Sequence, residues 1–305
     1  MKLKIIVFCL LLAGTACSGI KEDMSECYNT HKLILSYLGD GSTEIFSEKI
    51  DRVELYVFDA QNRCVADFEV PAGDVAARTA KLPPLQPGNY RIVALGNPYS
   101  TEVDKLEARD FNTIRFAAAD YLTKATASGN DPLYHAAANI TIEPFTGKNT
   151  EQTTTVRFAS SHYDLAVDVL GFPELENNAR ATSQTELKIC GVTPCTDFTN
   201  RVCGEACDYT LETTYDAQHL VLSNRSNIMR HTDHENVDVC LSVGGTEIAK
   251  VNLAEFLRQH PAIDCSKHEV LIPIEIRFIE GEVVITIPEW AIDVIQPDFG
   301  NKTEI

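Results

Sequence analysis

Asp51-Arg52-Val53-Glu54-Leu55-Tyr56-Val57-Phe58 is the stretch that decides the fold. Side chains alternate across a strand, so Val53, Leu55 and Val57 share one face while Tyr56 and Phe58 lie on the other. Branched and aromatic residues of this kind suit a pleated surface. Neither face is polar, and both are expected to be at least partly buried. Asp59-Ala60-Gln61-Asn62 then supplies a turn, and 63–70 runs on with Cys64, Ala66 and Phe68 on one side, which reads as a hairpin.

Working outward, Pro83-Pro84-Leu85-Gln86-Pro87-Gly88 is a rigid turn that delivers the chain into a further strand over 89–96, ended by Gly96-Asn97-Pro98. Strand patterning also covers 32–38, 139–143, 153–158, 163–170, 187–192, 220–223, 237–243, 270–279 and 282–287. Helical signals are confined to 101–108, 114–123 and 252–259, the last with Asn252 as its cap and Leu253, Phe256 and Leu257 as its apolar stripe. Many short strands, few helices and patterning that restarts after Gly147-Lys148-Asn149-Thr150 predict an all-β chain of two sandwiches, over 29–150 and 151–305.

The N-terminus has a different logic. Met1-Lys2-Leu3-Lys4, an uncharged apolar run over 5–13 and Gly14-Thr15-Ala16-Cys17 are the three parts of a secretory signal in order. A membrane-spanning helix needs about 20 apolar residues, more than this run supplies. A cysteine directly after the small residues resembles a bacterial lipobox, so 1–16 is expected to be a signal peptide, Cys17 the lipidated residue and 17–28 a tether. Lys21-Glu22-Asp23 looks like a tag for the outer face of the outer membrane. The alternative is plain secretion with Cys17 as a disulfide partner.

Removing the first 16 of 305 residues leaves 289, and losing Lys2 and Lys4 takes the formal charge from −18 to −20. Phosphate backbones are bound by clustered Lys and Arg, so a nucleic-acid partner is not expected. Besides Cys9 and Cys17, eight cysteines remain: Cys27, Cys64, Cys190, Cys195, Cys203, Cys207, Cys240 and Cys265. Disulfides, buried free thiols and a metal site are all open, and eight cysteines allow 105 pairings.

No nucleophile elbow, P-loop, dinucleotide fingerprint or H-E-x-x-H occurs, and no catalytic residue, metal ligand or cofactor site is assigned. Ser160-Ser161-His162-Tyr163-Asp164 holds the residue types of a triad but as sequence neighbours, and reads as the polar start of a strand. His231-Thr232-Asp233-His234-Glu235 would bind a divalent cation only if both imidazoles converged with a carboxylate. Trp290 is the single tryptophan, too little aromatic surface to argue for a lectin.

Several stretches, in order along most of the chain, carry a resemblance. Cys27 ahead of Leu33-Ile34-Leu35-Ser36-Tyr37, then Val53-Glu54-Leu55-Tyr56-Val57-Phe58-Asp59, then Pro87 to Asn97, then Asp131-Pro132-Leu133-Tyr134-His135, then Pro288-Glu289-Trp290, together resemble the fimbrial anchor lipoproteins of Bacteroides-type bacteria, the FimB-like and minor-fimbrium anchor family. Leu95 stands where that family commonly has Trp, and His135 where it has Gly. The resemblance implies two tandem transthyretin-like sandwiches, a non-enzymatic role in tethering a pilus to the outer membrane, and pilins as partners. It also implies joining by strand addition, in which backbone hydrogen bonds supply adhesion and alternate side chains fill pockets. The partner strand is expected in 282–287 or 290–295, the latter with Trp290, Ile292 and Val294 on one face; an intramolecular strand is the alternative. The competing function is a surface lipoprotein that binds a glycan or protein for uptake or adhesion.

Overall fold

The computed structural model describes residues 29–108, 110–124, 127–147, 150–171, 185–231 and 234–295. β2 (Val53–Phe58) lies between β3 (Cys64–Glu69) and β5 (Gly88–Gly96), antiparallel to both. β8 (Tyr134–Ile142) and β10 (Ala159–Ser160) extend this sheet to five strands in the order β10-β8-β5-β2-β3. Facing it are three strands, β4 (Thr79–Lys81), β1 (Thr30–Ser36) and β9 (Glu151–Arg157), with β9 parallel to β1.

The pleat of β2 sorts its side chains as the sequence predicts, and that of β5 follows it. Val53, Leu55, Val57, Ile92 and Ala94 face inward, packing with Leu33, Leu35, Phe46 and Val156 in the first core. Tyr56, Phe58, Val93 and Leu95 face outward, yet they are equally buried, in a second cluster with Phe111, Ile114, Phe116, Leu133, Phe198 and Met229. Each such side chain contributes roughly 1.5–3 kcal/mol on leaving water.

The second sandwich pairs a five-stranded sheet with a four-stranded one. The first holds β15 (Thr214–Asp216), β16 (Val221–Met229), β11 (His162–Leu170), β19 (Leu271–Ile279) and β20 (Glu282–Thr286), in that spatial order. The other holds β14 (Cys207–Leu211), β12 (Thr185–Val192), β17 (Asp238–Val243) and β18 (Thr246–Asn252). A small third sheet, β13 (Cys195–Asp197), β7 (Arg115–Ala118) and β6 (Thr101–Asp104), joins segments from both halves of the chain. Among the described residues the α-helices are short: α1 (Phe46–Lys49), α2 (Ala72–Ala76), α3 (Ala119–Lys124), α4 (Leu253–Gln259) and α5 (Glu289–Ile295).

Three boundaries differ from the sequence reading. The first sandwich continues through β9, because Val156 enters its core and β1 accepts the strand along its whole length. The change of sandwich therefore falls after Arg157 rather than near 150. Over 101–108 the chain is a strand followed by a 3-10 turn, since Lys105 adopts φ 63°, a left-handed conformation that no α-helix interior accommodates. Over 114–123 the helix begins only at Ala119, because 115–118 is claimed by cross-strand partners in β6 and β13. The helix after Asn252 forms as predicted, with the Asn252 side chain accepting from the Glu255 amide at 3.1 Å.

Two contacts fix the sandwiches to each other. Phe198, at the tip of the hairpin that follows β13, inserts among Tyr56, Phe58, Phe111 and Phe116 at ring-centroid distances of 5.0, 5.8, 6.3 and 6.1 Å. Its carbonyl accepts from His135 Nε2 at 3.0 Å, and burial lowers the pKa of that histidine, keeping it neutral. On a second contact, Glu269 accepts from the Tyr37 hydroxyl and from Lys49 Nζ, while Asp40 accepts from the backbone amides of His268 and Glu269.

Phe198→Ala leaves a cavity in the middle of the aromatic cluster and is expected to cost about 3–5 kcal/mol. Denaturant unfolding of the purified chain measures it; an unchanged midpoint contradicts the role given to this side chain.

Candidate functional site

β19 turns into β20 through Glu280 and Gly281, with φ 52° and 88°, the double left-handed geometry of a tight hairpin. Among the described residues β20 is the last strand of its sheet, and its outer row of backbone groups meets no strand there. Edge strands are usually blunted by Lys, Pro or a bulge. Here the edge reads Glu282-Val283-Val284-Ile285-Thr286, and Val283 and Val284, on opposite faces, are 39% and 41% exposed. Of the eleven large hydrophobic side chains exposed among the described residues, six lie between 279 and 294: Ile279, Val283, Val284, Trp290, Ile292 and Val294. Apolar exposure concentrated in this way marks an interaction surface.

Residues 290–295 form α5 and not a strand. Pro288 cannot donate to a ladder, and its fixed φ favours a helix start, with Glu289 in the first turn. The helical period changes which side chains meet a partner. Trp290 and Val294, four apart, share a face, and Ile292 points away from both, while Ala291 is buried.

Besides the burial of Ala291 and the packing of Ile295 on the core of the second sandwich, a carboxylate on the outer face of the sheet holds α5. Asp168, in the middle of β11 and 5% exposed, accepts from Trp290 Nε1 at 2.9 Å, from Ser223 Oγ at 2.7 Å, and from Arg225 Nη1 and Nη2 at 2.9 and 3.1 Å. The Arg225 guanidinium also lies 4.9 Å from the Trp290 ring centroid. Burial raises the Asp168 pKa, but these donors outweigh it and hold the carboxyl below its ordinary range. The sequence contained a signal for this clamp that pattern reading passes over: an Asp inside the otherwise apolar run of 165–170.

A second opening lies on the first sandwich, where β3 and β4 end their sheets on the same side. Between them is a groove of about 620 Å³ with Ala66, Phe68, Val70 and Leu82 as apolar lining and Asp74 and Lys81 among its polar groups.

The other residues singled out in the sequence fall as follows. Cys17 lies outside the described residues. His231 and His234 meet each other, Nε2 to Nδ1 at 2.9 Å, and both rings pack near Tyr163. Among the described residues no three His, Cys, Asp or Glu side chains converge as a metal site. Ser160, His162 and Asp164 are neighbours along β10 and β11, but Ser160 is 3% exposed and His162 Nδ1 is also engaged with the Leu133 carbonyl at 2.9 Å. The Ser160 hydroxyl is buried and donates to the His162 carbonyl at 2.9 Å.

With the fold and these surfaces in view, comparison with known proteins is informative. The profile of the family described as Fimbrillin-A associated anchor proteins Mfa1 and Mfa2 matches residues 24–295. The chain belongs to this family. Among solved structures, the fimbrial anchor protein Mfa2 from Porphyromonas gingivalis is similar at TM-score 0.64 and 15% identity, over 85% of this chain and 96% of that one. A candidate adhesin from Bacteroides ovatus is similar at TM-score 0.68 and 14% identity, over 86% and 95%. A candidate polysaccharide-binding protein from Bacteroides thetaiotaomicron is similar at 0.64 and 14%, over 86% and 99%. At such identities the likeness speaks for the fold. No curated protein matches the sequence. The family membership and the mostly β architecture agree with the resemblance read from the sequence. The two departures from the Fimbrillin-A anchor pattern, Leu95 and His135, prove to be register partners on β5 and β8, and His135 is the residue that holds the Phe198 carbonyl.

Because the Asp168 pKa is depressed in the folded chain, the clamp stabilises α5 above the unfolded carboxyl value of about 3.9 and is lost as pH falls through the lower folded value. Fluorescence of the single tryptophan, Trp290, reports it directly. Emission is expected to stay constant from about pH 7 to about pH 5 and to shift only below about pH 4, and Asp168→Asn is expected to bring a shift at neutral pH. A transition already complete at about pH 5 contradicts the clamp.

Proposed function

We propose that this protein is a non-enzymatic anchor or accessory subunit of a fimbrium, tethered to the outer membrane by a lipid on Cys17 and joined to a pilin by strand addition at β20. The observation that carries the reading is the unblunted edge of β20 with the exposed apolar side chains of the adjoining α5. An added strand would satisfy the outer backbone groups of β20 over five residues, roughly 17 Å. Trp290, Ile292 and Val294 would cover that strand or pack on the pilin beside it. Family membership and the fold shared with the Porphyromonas gingivalis anchor support the role. So does polarity along the chain: the signal peptide and lipidation cysteine stand at one end, and the apolar surface is formed by the last described elements. Two transthyretin-like sandwiches would then act as a spacer between membrane and fibre, with the strongly acidic surface facing solvent.

Affinity purification of the full-length protein from its native outer membrane tests the proposal. A pilin-like β-sandwich subunit is expected in stoichiometric amount, lost on Val284→Lys or Ile292→Asp without loss of the folded chain. Cys17→Ala is expected to release the protein from the membrane fraction. Recovery of an outer-membrane transporter instead, or normal retention of fimbriae on cells lacking the protein, overturns the anchor role in favour of glycan or protein binding at the surface.

A further inference from the structure

We infer that Cys195 and Cys203 are a disulfide site, and that the bond they form locks the hairpin whose tip, Phe198, plugs one sandwich into the other. Thr196 is bridged to Val202, and the Cys203 amide donates to the Cys195 carbonyl at 3.0 Å, so the two cysteines stand directly opposite each other on antiparallel segments. Opposed residues have Cα atoms about 4.5–5.5 Å apart, inside the range of about 4.4–6.8 Å that a disulfide spans. Their Sγ atoms are 3.3 Å apart, with one thiol donating to the other. Closing to a bond of about 2.05 Å needs a movement of little more than 1 Å, within reach of χ1 rotation.

Register separates this pair from the other near approach. Cys190 and Cys240 come within 3.9 Å, but Cys190 opposes Asp238 and Cys240 opposes Lys188, so they meet diagonally. Cys195 and Cys203 also differ in the way that thiol exchange requires. Cys195 is fully buried, whereas Cys203 is only partly buried and lies beside the exposed Val202; a hydrogen bond joins the two thiols. Arg115 of β7 favours the thiolate at both positions. The accessible Cys203 is thus the attacking group and the buried Cys195 the resolving one.

The oxidant is a disulfide, carried by a thiol oxidoreductase or by oxidised glutathione. The Cys203 thiolate attacks one sulfur of that disulfide, forming a mixed disulfide and releasing the first oxidant thiolate. Cys195 gives up its proton and attacks the Cys203 sulfur, releasing the second. The protein loses two hydrogens as two protons and two electrons, and the oxidant disulfide becomes a dithiol. The site rests on export through the N-terminal signal and not on the fimbrial role, and an envelope disulfide would persist in that compartment.

The test is mass spectrometry of the full-length protein isolated from its native envelope, alkylated without reduction and digested. The expected result is a linked peptide pair, lighter than its two free peptides by two hydrogens, with fragmentation placing the link between Cys195 and Cys203. Fully reduced chain incubated with oxidised glutathione should re-form the same link. Reductant should lower the melting temperature of the oxidised protein by on the order of 5 °C, and should have no effect on the Cys195→Ala, Cys203→Ala double variant. Alkylation of both cysteines in the unreduced envelope protein, or a link from Cys203 to another cysteine, overturns the inference; either result on the natural chain decides it even where the variant fails to fold.

Discussion

The molecule depends on one strand pair having no wet face. β2 and β5 put Val53, Leu55, Val57, Ile92 and Ala94 into one core and Tyr56, Phe58, Val93 and Leu95 into another. An antiparallel sheet in a simple sandwich leaves one face to solvent. Here that face would expose four large side chains, so a second layer must cover it, and the chain supplies the layer from far away in sequence. Phe111, Ile114 and Phe116 come from the excursion between β5 and β8, Phe198 from the hairpin after β13, and Met229 from the end of β16. The requirement to bury the second face is what turns two sandwiches into a single body.

That demand is legible in 51–58 alone, because alternation assigns each side chain of a strand to one face or the other. Its answer is not. Phe198 lies in a short, cysteine-flanked turn with no periodicity, and nothing local marks it as the plug. The strand reading of 101–104 and 115–118 was hidden for a related reason: these pieces are too short to show a period, and the β13 partner of 115–118 is some eighty residues distant. At the C-terminus local chemistry did favour the right answer, since Pro288 followed by Glu289 starts a helix, but alternating apolar residues over 290–294 imitate a strand. The result is a surface made of the predicted residues in a different geometry.

The functional reading draws on the same constraint. With the proposed tether on the N-terminal side and the proposed partner surface at β20 and α5, the junction between sandwiches is the path through which a pull would pass. The Phe198 plug, the His135 hydrogen bond to its carbonyl, the Glu269 contacts with Tyr37 and Lys49, and the opposed Cys195 and Cys203 at the hairpin base all lie on that path. Apolar contacts resist separation only while water is excluded, whereas a closed hairpin keeps Phe198 aligned if they loosen.

If burial of both faces of β2 is what unites the chain, the two sandwiches unfold together. Scanning calorimetry of the full chain is the direct measurement: one transition whose calorimetric and van't Hoff enthalpies agree is the expected result. Two resolved transitions, each with the enthalpy of half the chain, would show that the shared cluster around Phe198 does not couple the sandwiches and would contradict the account.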